Sequence, residues 1–319
     1  MTTYIARRLL QMLIVLIMIT LLIFFVMRLM PGDPLIIYIA RSGNLENMSF
    51  DQIEQLRVQY GLDKPLMVQY FNWVTGVFRG DFGESIIYKQ KVGRLLADRF
   101  PVTLNLGIPA LIVSSVLGIL AGIIAAIWRG KWPDKVVTPL SYIGLTIPVF
   151  WLGILMIYTF GLKLHWLPIS GYTSPFKDFW LSMKQLVMPV ICISIFGIAA
   201  NARQMRSSML EVIRQDYIRT AWSKGLSGRI VILKHALKNS VIPVITLIGF
   251  GVGIIFGGDV LVETVFAVPG IGFLATMSIL SCDYIVVQSI TLLVSVVILI
   301  SNLMVDLSYA WLDPRIRYG

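Results

Sequence analysis

Charge is what this chain has least of. Only 14% of its 319 residues are Asp, Glu, Lys or Arg, against about 25% in soluble domains. With 57% hydrophobic residues and a mean hydropathy of +0.80, a soluble fold would expose far too much apolar surface. The bilayer is its natural solvent. Cysteine and histidine are almost missing. Cys192 and Cys282 stand far apart in or beside apolar runs, with no Cys-x-x-Cys. His165 and His235 fall in different loops and form no His-Glu-x-x-His. A structural zinc site therefore lacks its ligands, and no metal site is expected within the chain.

Carboxylates are nearly absent from the apolar runs, apart from Asp306 at the edge of the last one. Ser114, Ser115, Ser141 and Thr146 lie in these runs without a partnering histidine, so a membrane-embedded enzyme has no acid–base players. Carriers coupled to protons or ions bury ionisable residues at mid-membrane. Their scarcity here weighs against a self-sufficient secondary transporter or channel, which stands as the alternative of a different class. No Gly-x-x-x-x-Gly-Lys-Ser/Thr loop is present, so the chain cannot cradle ATP by that route.

What is present is apolar length. About 20 apolar residues in a helix cross about 30 Å of hydrocarbon, and six such runs occur, at about 9–30, 102–127, 137–161, 186–202, 241–258 and 284–306. The first follows Arg7-Arg8, as a signal peptide or a twin-arginine signal would. It is too long for a signal core and no small-x-small site follows, so an uncleaved span is expected. The net charge of +10 would suggest nucleic acid in a soluble protein. Here its distribution fits loops retained inside the cell. Arg129, Lys131 and Lys135 lie in one short loop, eight basic residues lie in 202–240, and 259–283 has none. Both termini are therefore expected in the cytoplasm.

Residues 31–101 read as an extracytoplasmic lobe, outside a first helix at 1–30 and a five-helix core at 102–319. It opens with Pro31-Gly32-Asp33-Pro34, a stop and turn. Ser49 and Gln52 have capping-box spacing, which predicts a helix to about Tyr60 ending at Gly61. Pro65 suits the first turn of another helix ending before Gly80. Gly118 and Gly122, and then Gly249, Gly253 and Gly257, have GxxxG spacing, read first as close helix packing. Pro139 and Pro148 predict kinks in the third run.

The basic segment 202–240 is the sharpest signal. Met209, Val212, Ile213, Tyr217 and Ala221 recur at helical spacing. Gly225 sits where that helix should end, and Ile230, Leu233, Leu237 and Val241 form a second apolar face. The expectation is a hairpin of helix, glycine turn and helix at the inner membrane surface, docking against a protein or resting on anionic lipid. The acidic loop 259–283 is a second candidate. Asp259 and Glu263, with Phe266, Pro269 and Gly270, read either as a re-entrant turn or as a gate favouring cations.

Asp216-Tyr217-Ile218-Arg219-Thr220-Ala221-Trp222-Ser223-Lys224-Gly225, continuing into Leu226 and Ser227, resembles the coupling loop of ABC importer permeases. That motif begins Glu-Ala-Ala, with a glycine four residues after the second alanine. Arg219-Thr220-Ala221 and Gly225 occupy those places. The motif's later Ile-x-Leu-Pro is degenerate, with His235 for Ile, Leu237 matching and Lys238 for Pro, a departure typical of the dipeptide, oligopeptide and nickel permeases. An ordered set of further matches covers nearly the whole chain: Gly61-Leu62-Asp63-Lys64-Pro65, Gly80-Asp81-Phe82-Gly83-Glu84-Ser85, Pro101-Val102-Thr103-Leu104, Pro269-Gly270-Ile271-Gly272 and Leu312-Asp313-Pro314-Arg315.

The resemblance implies an all-α integral membrane protein with six transmembrane helices and the type I importer permease fold, in the cytoplasmic membrane. Its implied partners are a second homologous permease, two ABC ATPases that bind ATP and Mg, an extracytoplasmic substrate-binding protein and membrane lipid. The implied cargo is short peptides, di- or oligopeptides, with nickel or a metal chelate as the alternative and glutathione not distinguished from either. The chain itself would be neither enzyme nor cofactor carrier.

Overall fold

The computed structural model describes residues 2–29, 50–59, 61–256 and 259–312, and everything described is helix, turn or loop apart from one isolated bridge between Glu84 and Lys91. The expected capping residue Ser49 lies outside the described residues. The helices are α1 (Thr2–Leu29), α2 (Phe50–Gln59), α3 (Leu66–Phe78), α4 (Val92–Ile127), α5 (Trp132–Thr146) and α6 (Val149–Lys163). They continue as α7 (Phe179–Val212), α8 (Asp216–Ser223), α9 (Gly228–Ser240), α10 (Ile242–Phe256), α11 (Val260–Val265), α12 (Ile271–Leu280) and α13 (Tyr284–Leu312).

Helices α1, α4, α7 and α13 are each long and apolar enough to cross a membrane. Two bent pairs bring the spans to as many as six. The third run, expected as one span over 137–161, is α5 and α6 bent by 102°. The cause is local. Proline pushes the residue before it out of the helical region, and Ile147 accordingly takes φ −67° and ψ 127°. Pro139, expected to kink the same run, sits inside α5. The fourth run extends well past 186–202. Asp178 caps α7 by accepting the Leu181 N–H at 3.0 Å, and the helix carries Arg203 and Arg206, expected in a loop, to Val212.

The chain divides into two compact units, Met1–Val102 with Pro269–Val297, and Thr103–Val268 with Ile298–Gly319. In the first unit the start of α4 packs with α12 and α13 through Val92, Leu95, Leu96, Ile271, Leu274, Val286 and Ile290. Beside this core Asp283 is fully buried, accepting the Ser85 hydroxyl at 2.5 Å and the Ile87 N–H at 3.4 Å. Burial pushes its carboxyl above the usual range, and these donors pull the other way. In the same unit α3 lies against α1. The Phe24 ring meets Tyr70 edge-on at 5.5 Å and stacks with Trp73 at 6.3 Å.

The second unit is organised on α7, which α5, α6 and α10 flank. Glycine permits the closest approaches, as the GxxxG spacing predicts. A Cβ on Gly122 would meet the Ala202 carbonyl oxygen and the Met205 Cβ, both at 2.6 Å, and one on Gly118 would meet the Asn201 Cβ at 2.6 Å. A Cβ on Gly249 would overlap Val305 of α13, and one on Gly253 would meet Ile298 at 3.0 Å. Gly257 lies outside the described residues.

Gly122→Val should therefore lower the thermal stability of the purified protein by about 1–3 kcal/mol. Gly251→Ala, whose Cβ meets nothing within 4 Å, should leave it unchanged in a parallel melting experiment. Equal melting temperatures for both variants would remove the close-packing argument.

Candidate functional site

The basic hairpin departs from its expected register in two places. The helix expected to run through Met209 and Ala221 breaks at 213–215, where Arg214 and Gln215 donate to the Glu211 and Val212 carbonyls. Met209 and Val212 thus end α7, and α8 starts afresh at Asp216. The eight residues of α8 have two faces. Ile218 and Ala221 are buried in a cluster with Met205, Met209, Val231, Ala236 and Val244. Asp216, Tyr217, Arg219, Thr220 and Lys224 are exposed. Tyr217, expected on the apolar face, instead accepts a hydrogen bond from the Asn239 amide at 2.8 Å. The true anchor, Ile218, is one position along.

The turn that follows forms as expected. Gly225 has φ +76° and its N–H donates to the Trp222 carbonyl at 2.9 Å. Space around Gly225 is open, so the glycine is needed for backbone conformation and not for room. Leu226 packs on the buried cluster, and Ser227 precedes α9. Residues Val231–Ala236 of α9 are π-helical. The wider turn rotates the register, so Val231 and Ala236 are buried, while Ile230 and Leu233, expected on the apolar face, are exposed.

Beside the hairpin stands a polar clamp that sequence reading missed. Asp134, in the first turn of α5, takes both the Nε and a terminal nitrogen of Arg206 on α7, at 2.6 and 2.9 Å. It also accepts the Gly130 N–H at 2.8 Å and the Thr138 hydroxyl at 2.9 Å. A bidentate Arg–carboxylate pair is strong and geometrically specific. It ties α5 to α7 three turns before α8 begins. The available signal was Asp134 directly after Trp132-Pro133, a helix-start pattern where an acidic residue suits the helix dipole.

The acidic loop separates into different environments. Asp259 caps α11 through the Val262 N–H at 3.1 Å and lines a cavity of about 400 Å³ among α4, α5, α6, α7 and α10. The cavity is largely apolar, and Asp259 is its one carboxylate among the described residues. Ser114 and Asn201 are its other polar side chains, and the Asn201 amide donates to the Ser114 carbonyl at 3.3 Å. Burial pushes the Asp259 carboxyl above its usual range, against the pull of the Val262 and Leu261 N–H groups. Glu263 is 1% exposed and accepts the Thr103 hydroxyl at 2.7 Å. Phe266 is buried and its carbonyl accepts the Gly171 N–H at 3.2 Å. In the other unit the Pro269 carbonyl accepts from Arg99 at 3.2 Å, and Gly270 precedes α12.

Residues 118–318 match the family described as the inner membrane component of binding-protein-dependent transport systems, and residues 1–107 match that family's N-terminal region. The chain belongs to this family. A putative peptide transport system permease of Brucella abortus is 39% identical over 319 residues, covering 100% of both chains. A probable peptide ABC transporter permease of Sinorhizobium fredii is 40% identical with the same coverage. A glutathione transport system permease of Salmonella choleraesuis is 38% identical over 318 residues, again across 100% of both chains. Among solved structures, a chain of the inward-facing MetNI methionine ABC transporter matches with a TM-score of 0.56 at 15% identity, over 69% of this chain and 96% of that one.

The permease fold expected from the resemblance is thus shown, as is the assignment to the importer permeases. The family is a multi-pass component of the inner membrane, and it works with a binding protein and an ATPase. It is the permease and not the ATPase, and no cofactor is expected in it.

Asp134→Ala should destabilise the protein by about 2 kcal/mol, because a half-buried Arg206 loses a bidentate partner. Thermal unfolding of the purified protein should show the loss, and Asp134→Arg combined with Arg206→Asp should recover part of it. A melting temperature unchanged by Asp134→Ala would show that the clamp carries no stability.

Proposed function

We propose that the chain forms half of the translocation pathway of an ATP-driven importer of short peptides. A second homologous permease, two ATPases and an extracytoplasmic binding protein complete the assembly. The observation that carries the peptide reading is the full-length similarity, near 39%, to permeases named for peptide transport. The glutathione permease fits the same class, since glutathione is itself a short peptide. Both termini lie in the cytoplasm on this reading, supported by the basic residues of 129–135 and 202–240.

The exposed face of α8, with Asp216, Tyr217, Arg219, Thr220 and Lys224, is the ATPase-facing surface. Its buried face supports that role. Ile218 and Ala221 seat it on the end of α7 and on α9, so a push on α8 is delivered to two spans. Gly225, Leu226 and Ser227 set the angle between α8 and α9. Such an element couples two sites through its discrete arrangements. At the other candidate, Asp259 is the residue placed to meet a cationic group in the pathway. Glu263 and Phe266 hold α11 in place, and Pro269 and Gly270 lead into α12.

Uptake of labelled dipeptide and of labelled nickel, in matched cells with and without this chain, tests the substrate. Loss of dipeptide uptake alone is expected, and loss of nickel uptake alone would replace the peptide reading with the metal alternative. In the same assay Gly225→Val should reduce uptake severalfold, since a β-branched residue resists positive φ. Gly225→Asn, which tolerates that region, should retain most of it. Asp259→Asn should raise the peptide concentration for half-maximal uptake by roughly tenfold, the equivalent of one charge-assisted hydrogen bond of about 1.4 kcal/mol. An unchanged half-maximal concentration would return Asp259 to its capping role alone.

A further inference from the structure

The second helix of the lobe after the first span is apolar. From Pro65 to Phe78 the sequence has no charged residue, and Lys64 and Arg79 bracket it. Fourteen such residues are too few to span a bilayer and suit a buried, re-entrant or interfacial segment. Burial does not account for α3. Met67 is 58% exposed, Phe71 64% and Phe78 80%. At about 100° per residue these three fall within about 40° of one another. They form a single stripe beside the Tyr70 and Trp73 side that meets α1. Gln69 and Asn72 point away from the stripe. Thr75 satisfies its own hydroxyl by donating to the Phe71 carbonyl at 2.8 Å, as a side chain leaving water must.

The contacts with α1 set the depth of this stripe. Between Arg8 and Arg28, α1 carries no charge, and the twenty steps from one to the other, at 1.5 Å rise, span about 30 Å, the thickness of the hydrocarbon. Phe24 lies four residues inside Arg28 and Thr20 eight, which is about 6 and 12 Å below that boundary. Phe24 is the residue that α3 packs with Tyr70 and Trp73. Thr20 shares a hydrogen bond of 3.0 Å with the Tyr70 hydroxyl. A helix floating in water outside the membrane could not reach these positions. On α1 itself Met18 and Leu22 are each 64% exposed, as lipid-facing residues are.

We infer that α3 is embedded in the leaflet on the Arg28 side of the membrane, with Met67, Phe71 and Phe78 against lipid acyl chains. It is an interfacial helix leaning on the first span. The stretch from Gly80 to Lys91 and helix α2 keep their charged residues in water.

Site-directed spin labelling tests this in the assembled transporter held in lipid nanodiscs. Cys192→Ala and Cys282→Ser remove the native thiols, and single cysteines replace Met67, Phe71 and Phe78 in turn. Met18→Cys on α1 supplies the lipid reference and Glu54→Cys on α2 the water reference. Collision rates with oxygen and with a water-soluble nickel chelate are then compared. At all three positions the oxygen-to-nickel ratio should match Met18 and exceed that at Glu54 severalfold. A ratio like that of Glu54 would place the stripe in water and overturn the inference. Low collision with both reagents would show that protein covers the stripe, and would overturn it equally. The readout does not depend on the transported substrate, so it stands or falls apart from the peptide reading.

Discussion

Every backbone N–H and C=O that leaves water for hydrocarbon must find a partner within the protein, and this constraint shapes the chain throughout. It selects helices and restricts where they can stop. The breaks that do occur have local causes and local cover. Pro148 forces Ile147 out of the helix, and Ile147 and Val149 on either side of it line the cavity. Pro243, in the first turn of α10, withholds an N–H that a first turn would leave unused. Many polar side chains follow the same rule. Ser141, Ser194, Thr246, Ser289 and Ser295 all donate to a carbonyl four residues back along their own helix.

Carboxylates are the costliest groups in this setting, and buried Asp134 and Asp283 each have several donors. Asp134 has an arginine, a hydroxyl and a backbone N–H. Asp283 has Ser85 and two backbone N–H groups. Asp259 differs in having a cavity on one side. That contrast, and not the acidity of the loop as a whole, singles it out. Asp259 and Glu263 looked equivalent in sequence because distance along the chain does not say which helix each one meets. Thr103 stands 160 residues from Glu263, and Ser85 stands 198 from Asp283.

The spans were legible because apolar length is a strong, local signal. So were the turns at Gly61 and Gly225 and the close approaches at Gly118 and Gly122. Other features were not. A regular helical period placed Tyr217 and Leu233 inside, where the structure has Ile218 and Ala236. The first shift arises from a break at 213–215 that no proline or glycine announces. The second arises from a π-helical turn. Long-range pairing was equally hidden, as between Asp134 and Arg206. The depth of α3 depends on which α1 residues it touches, and its own composition shows only that water is an unsuitable neighbour.

The π-helical turn at Val231–Ala236 reverses the usual relation between side-chain size and importance. Counted as an ordinary helix, Leu233 would be the core residue to protect and Ala236 a tolerant position. In the folded chain Leu233 projects outward and Ala236 has no exposed surface. The small residue is therefore the sterically constrained one, and the hairpin's freedom to diversify lies in its large apolar side chains. Surveys of natural variation that weight positions by hydrophobic bulk would misjudge this segment, because one extra residue per turn has exchanged the inside for the outside.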